Sequence, residues 1–309
     1  MILLTHTLQT GLIFSFLAIG VYISYRIYDF PDVTTDSSFT LGSVVVAVLL
    51  HAGWNPILAS VFSFFAGCCA GAVTGFIHAR WKINKLLAGI LTMTALYSIN
   101  LRLMGSVYLS FDDATSIFTY GAQLAGILFP GQEYLNIFGL HFFTEDLVIL
   151  LSTILAVALC VWLLYAFFQT QLGLAMRATG ENPAMARTLN IKDSRMVILG
   201  IALANGMCAV SGAHFAQELG RTDIQLGIGM IVTGLASMLL GEAIVGRKKF
   251  GWSITSAVLG SLLYRLLYTG ALQIGFVDGD LKFLTAFFVL TALLLPGMLR
   301  KFRNTQPVK

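Results

Sequence analysis

Apolar residues run in stretches of roughly twenty along most of the chain, separated by short polar segments. The stretches at 8–27, 56–78, 86–108, 147–168, 197–217, 224–245, 252–272 and 283–299 are each long enough to cross about 30 Å of hydrocarbon as a helix rising about 1.5 Å per residue. A membrane β-barrel would instead show ten-residue segments of alternating polarity. The pattern therefore predicts an all-α polytopic membrane protein with about eight full transmembrane helices. The segment 39–51 is too short to cross alone, at about 20 Å, unless the polar residues before it also lie within the membrane. It is expected to be a short, broken helix.

Composition strengthens this reading. Of 309 residues, 57% are apolar and only 11% are charged, with a mean hydropathy of +0.82. A soluble domain carries about 25% charged residues, so an ordinary soluble enzyme is excluded, as is a disordered chain. Cys68, Cys69, Cys160 and Cys208 lie inside apolar stretches without paired spacing or neighbouring His at ligand spacing; packing is expected of them, and no metal site. No Lys or Arg precedes the first apolar stretch, unlike a secretory signal, so it is read as a retained span.

Charge then orients the chain. Arg80, Lys82 and Lys85 form one basic cluster, Arg177, Arg187, Lys192 and Arg195 a second, Arg247, Lys248 and Lys249 a third, and Arg300, Lys301, Arg303 and Lys309 a fourth. Threading the spans puts all four on one side, which the positive-inside rule makes cytoplasmic, with the C-terminus there too. Acidic residues collect opposite: Asp112, Asp113, Glu133, Glu145 and Asp146, then Glu218 and Asp223, then Asp278 and Asp280. The basic clusters lack the interleaved aromatics of a nucleic-acid groove, so the lipid bilayer is the partner they imply and no nucleic acid is expected. Glu242 is expected to pair locally with Arg247 or Lys248.

The whole chain, 1–309, reads as one transmembrane domain with a weak inverted repeat. Thr40-Leu41-Gly42 falls on Gln225-Leu226-Gly227, Gly75 on Gly260 and Arg80 on Arg265. The copies extend over about 8–108 and 197–299 and run in opposite senses, an arrangement that lets transporters place a path between halves. Each copy begins with a polar break. The first, 29–38, puts Asp36 and Ser37 where either can cap the short helix; the second, 218–229, holds Asp223, Gln225, Gly227 and Gly229. Non-helical backbone at membrane depth survives where protein or a water-filled cavity satisfies it. Asp36, Ser37, Thr40, Asn100, Arg102, Asn205, Asp223, Gln225, Met230 and Arg265 are accordingly the candidates for a substrate path, although Arg102 and Arg265 lie where snorkelling also accounts for them. Gly67, Gly71 and Gly75 recur every four residues, the pattern of close helix packing. The outer segment 109–145 contains an apolar run, 117–129, readable as a surface helix or a partial re-entry.

The segment 170–195 on the basic side reads as structured. Gly180 is expected to break one helix, Asn182 to cap the next and Pro183 to take its first position. Ala184, Met185 and Leu189 are expected to face protein, with Arg187 and Lys192 outward. The pattern Gly173-x-Ala175-x-Arg177-Ala178-x-Gly180-x-Asn182-x3-Ala186-x4-Asn190-Ile191 resembles the cytoplasmic loop of ABC importer permeases of the branched-chain amino acid and ribose type. The likeness extends to the Asp29-Phe30-Pro31-Asp32 segment with its Phe39-Thr40-Leu41-Gly42 continuation, to the stretch from Lys82 to Arg102, and to Gly227-Ile228-Gly229-Met230-Ile231-Val232. It is strongest to a subgroup of tryptophan- and tyrosine-type permeases.

That resemblance implies an inner-membrane importer subunit moving a small solute, an amino acid or related compound, aromatic ones included, by alternating access. Its implied partners are cytoplasmic ABC ATPase subunits holding ATP and Mg, an extracytoplasmic substrate-binding protein, and a second permease copy or paired homologue. Arg177, Gly180, Asn182, Pro183, Ala184, Arg187 and Ile191 would form the ATPase-coupling segment. No cofactor or catalytic residue is expected in this chain: Gly241-x4-Gly246-Arg247-Lys248 lacks the ending of a phosphate loop. The competing reading is an ion-gradient-driven secondary transporter, for which Asp29, Asp32, Asp36 and Glu242 are the available carboxylates. A membrane enzyme ranks third, since His6, His51, His78, His141 and His214 are dispersed.

Overall fold

The computed structural model describes residues 2–112, 114–130, 134–137, 140–245 and 250–276, together with residues 280, 283, 285–287, 290 and 291. Most of the expected span 283–299, the basic clusters at 247–249 and 300–309, and Asp113, Glu133 and Asp278 fall outside the described residues.

The described chain is an all-α membrane bundle. Helix α1 (Ile2–Val21) passes into a π-helical turn (Tyr22–Ile27), followed by α2 (Thr34–His51), α3 (Pro56–Trp81) and α4 (Lys85–Met104). Strand β1 (Tyr108–Ser110), α5 (Ile117–Leu128) and a hairpin of β2 (Tyr134–Ile137) and β3 (Leu140–Phe143) lead into α6 (Thr144–Gln169). Helices α7 (Gln171–Glu181), α8 (Pro183–Thr188) and α9 (Asp193–Leu219) follow, then β4 (Arg221–Asp223), α10 (Met230–Val245) and α11 (Phe250–Ile274). Among the described residues, six helices are long and apolar enough to span a membrane: α1 with its π turn, α3, α4, α6, α9 and α11.

Two expected elements take a different form. The short helix starts five residues before Phe39, at Thr34, because Asp32 accepts the Thr34 N–H through Oδ1 at 3.0 Å. Val33 holds the cap position without a side-chain cap bond, Asp32 takes the first helical N–H, and Asp36 and Ser37 lie inside the helix. The polar first turns of α2 are buried and bonded to neighbours: Thr34 to Thr74 at 2.9 Å and Ser38 to Asn205 at 2.7 Å. The expected span 224–245 is helical only from Met230. Residues 224–229 form successive turns, with the Leu226, Ile228 and Met230 N–H groups donating to Asp223, Gln225 and Gly227 carbonyls.

At the centre lie α1 and α9. The apolar window of α1 is 94% buried inside the protein, against 22% for that of α6, so α6 supplies a lipid-facing wall and α1 a core. Helix α9 accepts close neighbours along a run of small residues. Gly67, Gly71 and Gly75 of α3 face it: a Cβ at Gly67 would lie 2.5 Å from Ala209 Cβ, and one at Gly75 would lie 2.8 Å from Ile198 Cα. The apolar run at 117–129 forms α5, capped by the Ser116–Thr119 pair and packed through Gly121 on Ile149 of α6.

The residues matched in the proposed repeat differ locally. Thr40 to Gly42 are helical, whereas Gln225 to Gly227 lie in turns. Gly42 and Gly227 nonetheless share a task, since each lets a carbonyl approach, that of Ala209 and that of Asp36 respectively.

Candidate functional site

The two polar breaks meet. β1 pairs antiparallel with β4, placing Leu109 opposite Thr222, and from there residues 224–229 run alongside α2 as turns. In a bilayer such backbone needs partners from protein. Helix α2 supplies them at Asp36 and Thr40, and Ser43 adds a side-chain bond to β4. Ser43 Oγ lies 2.7 Å from Thr222 Oγ1, and Thr40 Oγ1 accepts the Gly227 N–H at 3.0 Å. The Asp36 carboxylate accepts the Gly229 N–H at 2.9 Å and the Ile231 N–H at 2.7 Å. Asp36 therefore satisfies free donors at the start of α10, where the helix dipole also favours negative charge. Gly227 is required here, because a Cβ would strike the Asp36 carbonyl.

Beside this junction is a cavity of about 300 Å³, walled by Asp36, Ser37 and Thr40 on α2, by Thr94, Tyr97 and Ser98 on α4, and by Ile224, Gly227 and Ile228. The three α4 residues are exposed, so the cavity opens on that flank. Its size is at the small end of sites for small molecules. Asn100 lies behind the wall, buried, with its amide donating to the Ser37 carbonyl at 3.3 Å.

The other path candidates lie elsewhere. Asn205 is fully buried; its Nδ2 donates to Asp32 at 2.6 Å and its Oδ1 accepts from Ser38, so it braces the start of α2 away from the cavity. Arg102 and Gln225 are exposed, Asp223 accepts the Gln225 N–H at 2.7 Å, and Met230 packs near Phe14, Phe39 and Cys208. Arg265 belongs to a second polar cluster, lying 4.7 Å from the Tyr268 ring and 5.6 Å from that of Phe14. Near it, Glu218 accepts from Thr10 at 2.9 Å. Phe14 also packs with Phe39 of α2 and with Phe215, the three ring centroids lying 5.1 to 6.2 Å apart.

Sequence reasoning passed over Thr94, Tyr97 and Ser98. Their spacing, i, i+3 and i+4, is one polar stripe on an apolar helix, a legible signal. Asp36, Thr40 and Ser43, at i, i+4 and i+7, are likewise one face of α2.

On the basic side, α7 and α8 form a bent pair. Thr170 accepts the Gly173 N–H at 3.2 Å, Asn182 accepts the Met185 N–H at 3.1 Å, and Pro183 opens α8. Gly180 does not break the helix; it lies inside α7, and its lack of a side chain admits the Ile27 carbonyl from the π turn of α1. The apolar side chains of α8 do not face inward as expected, whereas Arg187 and Lys192 are exposed, as expected. Ala186 is buried, whereas Ala184 is exposed, as are Met185 at 59% and Leu189 at 60%. The small Ala186 fits against the protein, leaving the longer apolar side chains outward. Arg187 is bound to Asp193 of α9 at 2.6 Å, Ile191 and Arg177 are half-buried, and Met176 is sealed in the core. Glu242 pairs with Arg26 of the π turn at 2.9 Å; Arg247 and Lys248, its expected partners, lie outside the described residues.

A bundle of spanning helices with a polar, partly non-helical junction beside a small cavity defines a polytopic membrane protein. The chain belongs to the family described as branched-chain amino acid transport system / permease component, whose model matches residues 3–298. It is 36% identical to the tyrosine transport system permease protein of Clostridioides difficile, over 92% of this chain and 88% of that one. An uncharacterized Rickettsia prowazekii protein is 28% identical over 94% of this chain and 96% of its own length. The autoinducer 2 import system permease protein of Salmonella paratyphi B is 25% identical over 96% of this chain and 79% of its own. No solved structure matches the chain. The chain is thus a permease component of a branched-chain or sugar-type ABC transport system.

Proposed function

We propose that this permease moves a small solute, an amino acid or related compound, inward by alternating access, driven by separate ATPase subunits that dock on α7 and α8. The observation that carries the reading is the outward pair Met185 and Leu189 beside Arg187, on a short helix fixed by Asn182 at its start and by the Arg187–Asp193 bond near its end. Exposed apolar side chains on a helix held in place are what a partner groove requires. Arg177 and Gly180 lie behind that surface, and the contact between Gly180 and Ile27 connects it to the end of α1, a direct route for motion into the bundle.

The basic clusters support a cytoplasmic position for this surface and an inner-membrane location. An extracytoplasmic binding protein would deliver the solute to the opposite face. The exposed polar flank of α4 supports a second permease copy or homologue closing the Asp36 cavity, since hydroxyls at membrane depth need protein or water beside them. ATP and Mg belong to the ATPase. The similarity to a tyrosine permease supports an aromatic amino acid as the solute.

The test is uptake with the cognate ATPase co-expressed. Met185→Glu with Leu189→Glu should leave the permease folded while uptake and ATPase co-purification fall at least about tenfold, a change of about 1.4 kcal/mol in docking. Uptake that persists without the ATPase and collapses with an ionophore would replace this reading with the ion-gradient carrier.

A further inference from the structure

We infer that the cavity between α2 and α4 selects solutes carrying a protonated amine, with Asp36 as the group that meets it. The inference rests on the transport reading above.

Asp36 is the one charged side chain on the described wall of the cavity; its other polar side chains are the hydroxyls of Ser37, Thr40, Thr94, Tyr97 and Ser98. Both carboxylate oxygens accept a backbone N–H, from Gly229 and Ile231. A carboxylate offers about four lone-pair sites, so each oxygen retains capacity for another donor. The start of α10 offsets only about half a unit of charge. The cavity therefore keeps a net negative field in a poorly screening environment. A cation is drawn to such a place, an anion is repelled, and a neutral polyol leaves the charge uncompensated.

The opposite wall suits the rest of an amino acid. Among the described residues, the hydroxyls of Tyr97 and Ser98 have no hydrogen-bond partner, so both can donate to a carboxylate without displacing an internal bond. The Tyr97 ring adds an apolar face. The volume of about 300 Å³ admits one small solute and excludes a bulky one.

The experiment reads the cavity directly, in membrane vesicles holding the full chain without its ATPase. Ile228→Cys, on the cavity wall but outside the proposed polar contacts, in a background with the four native cysteines replaced, reports alkylation by a small thiol reagent. Three probes of similar shape are compared at equal concentration: 2-phenylethylamine, L-phenylalanine and 3-phenylpropionate. The amine and the amino acid should slow labelling several-fold and the acid should not. Asp36→Asn should remove that protection, and so should Thr94→Trp, which fills the cavity without touching the Gly229 and Ile231 bonds. Equal protection by the acid, protection surviving Asp36→Asn, or no protection by any probe would overturn the inference. Because no ATPase is present, failure of ATP-driven uptake sinks the import reading alone and leaves this result standing.

Discussion

The junction around Asp36 and the segment from Thr170 to Asp193 are held by opposite means. At the junction, bonds reach far along the chain: Asp36 to Gly229 and Ile231, Thr40 to Gly227, and Asn205 to both Asp32 and Ser38. In the segment on the basic side they are local, from Thr170 to Gly173, Asn182 to Met185 and Arg187 to Asp193. The difference follows from solvent. Inside a bilayer a polar group must find protein, and the available protein is another helix. At the aqueous edge, short-range caps suffice, and apolar side chains such as Met185 and Leu189 remain outward for a partner.

Variants can break or sharpen this contrast. The largest effect is expected for Asp36→Ala, which strands two backbone N–H groups at about 1–3 kcal/mol each. Thermal unfolding in detergent should show a steep loss, and a melting temperature equal to wild type would mean that water or lipid replaces the carboxylate. Asn205→Ala comes next. It leaves Asp32 and Ser38 short of a partner and should cost about 2 kcal/mol, lowering the melting temperature while the local structure of α8 persists by hydrogen exchange. Asn182→Ala should do least to the whole fold. Losing one cap costs about 1 kcal/mol locally, so exchange at Met185 should rise while global melting barely moves. If Asn182→Ala melts the bundle as much as Asn205→Ala, the two regions are a single cooperative unit and the contrast fails.

Much of the fold was legible because apolar length is a one-dimensional property: the stretches at 56–78, 86–108, 147–168 and 197–217 each contain the middle of an observed helix. The caps at Asn182 and Pro183 were legible for a related reason, since a cap and its target lie within one turn. Other expectations failed where the deciding contact was remote. Gly180 read as a helix breaker, but what it meets is the Ile27 carbonyl. Asp36 read as a cap for its own helix, but the N–H groups it binds belong to α10.

By itself, then, the sequence determined that this is a helical membrane protein, where six of its spanning helices lie, and that two polar breaks and one basic segment are its unusual parts. The tertiary structure alone decided that the two breaks join, that Thr94, Tyr97 and Ser98 complete a cavity beside them, and that α8 turns Met185 and Leu189 outward. The physical reason is that hydrophobic length and capping are settled within a few residues. The partner of a polar group in hydrocarbon is whichever helix packing brings beside it.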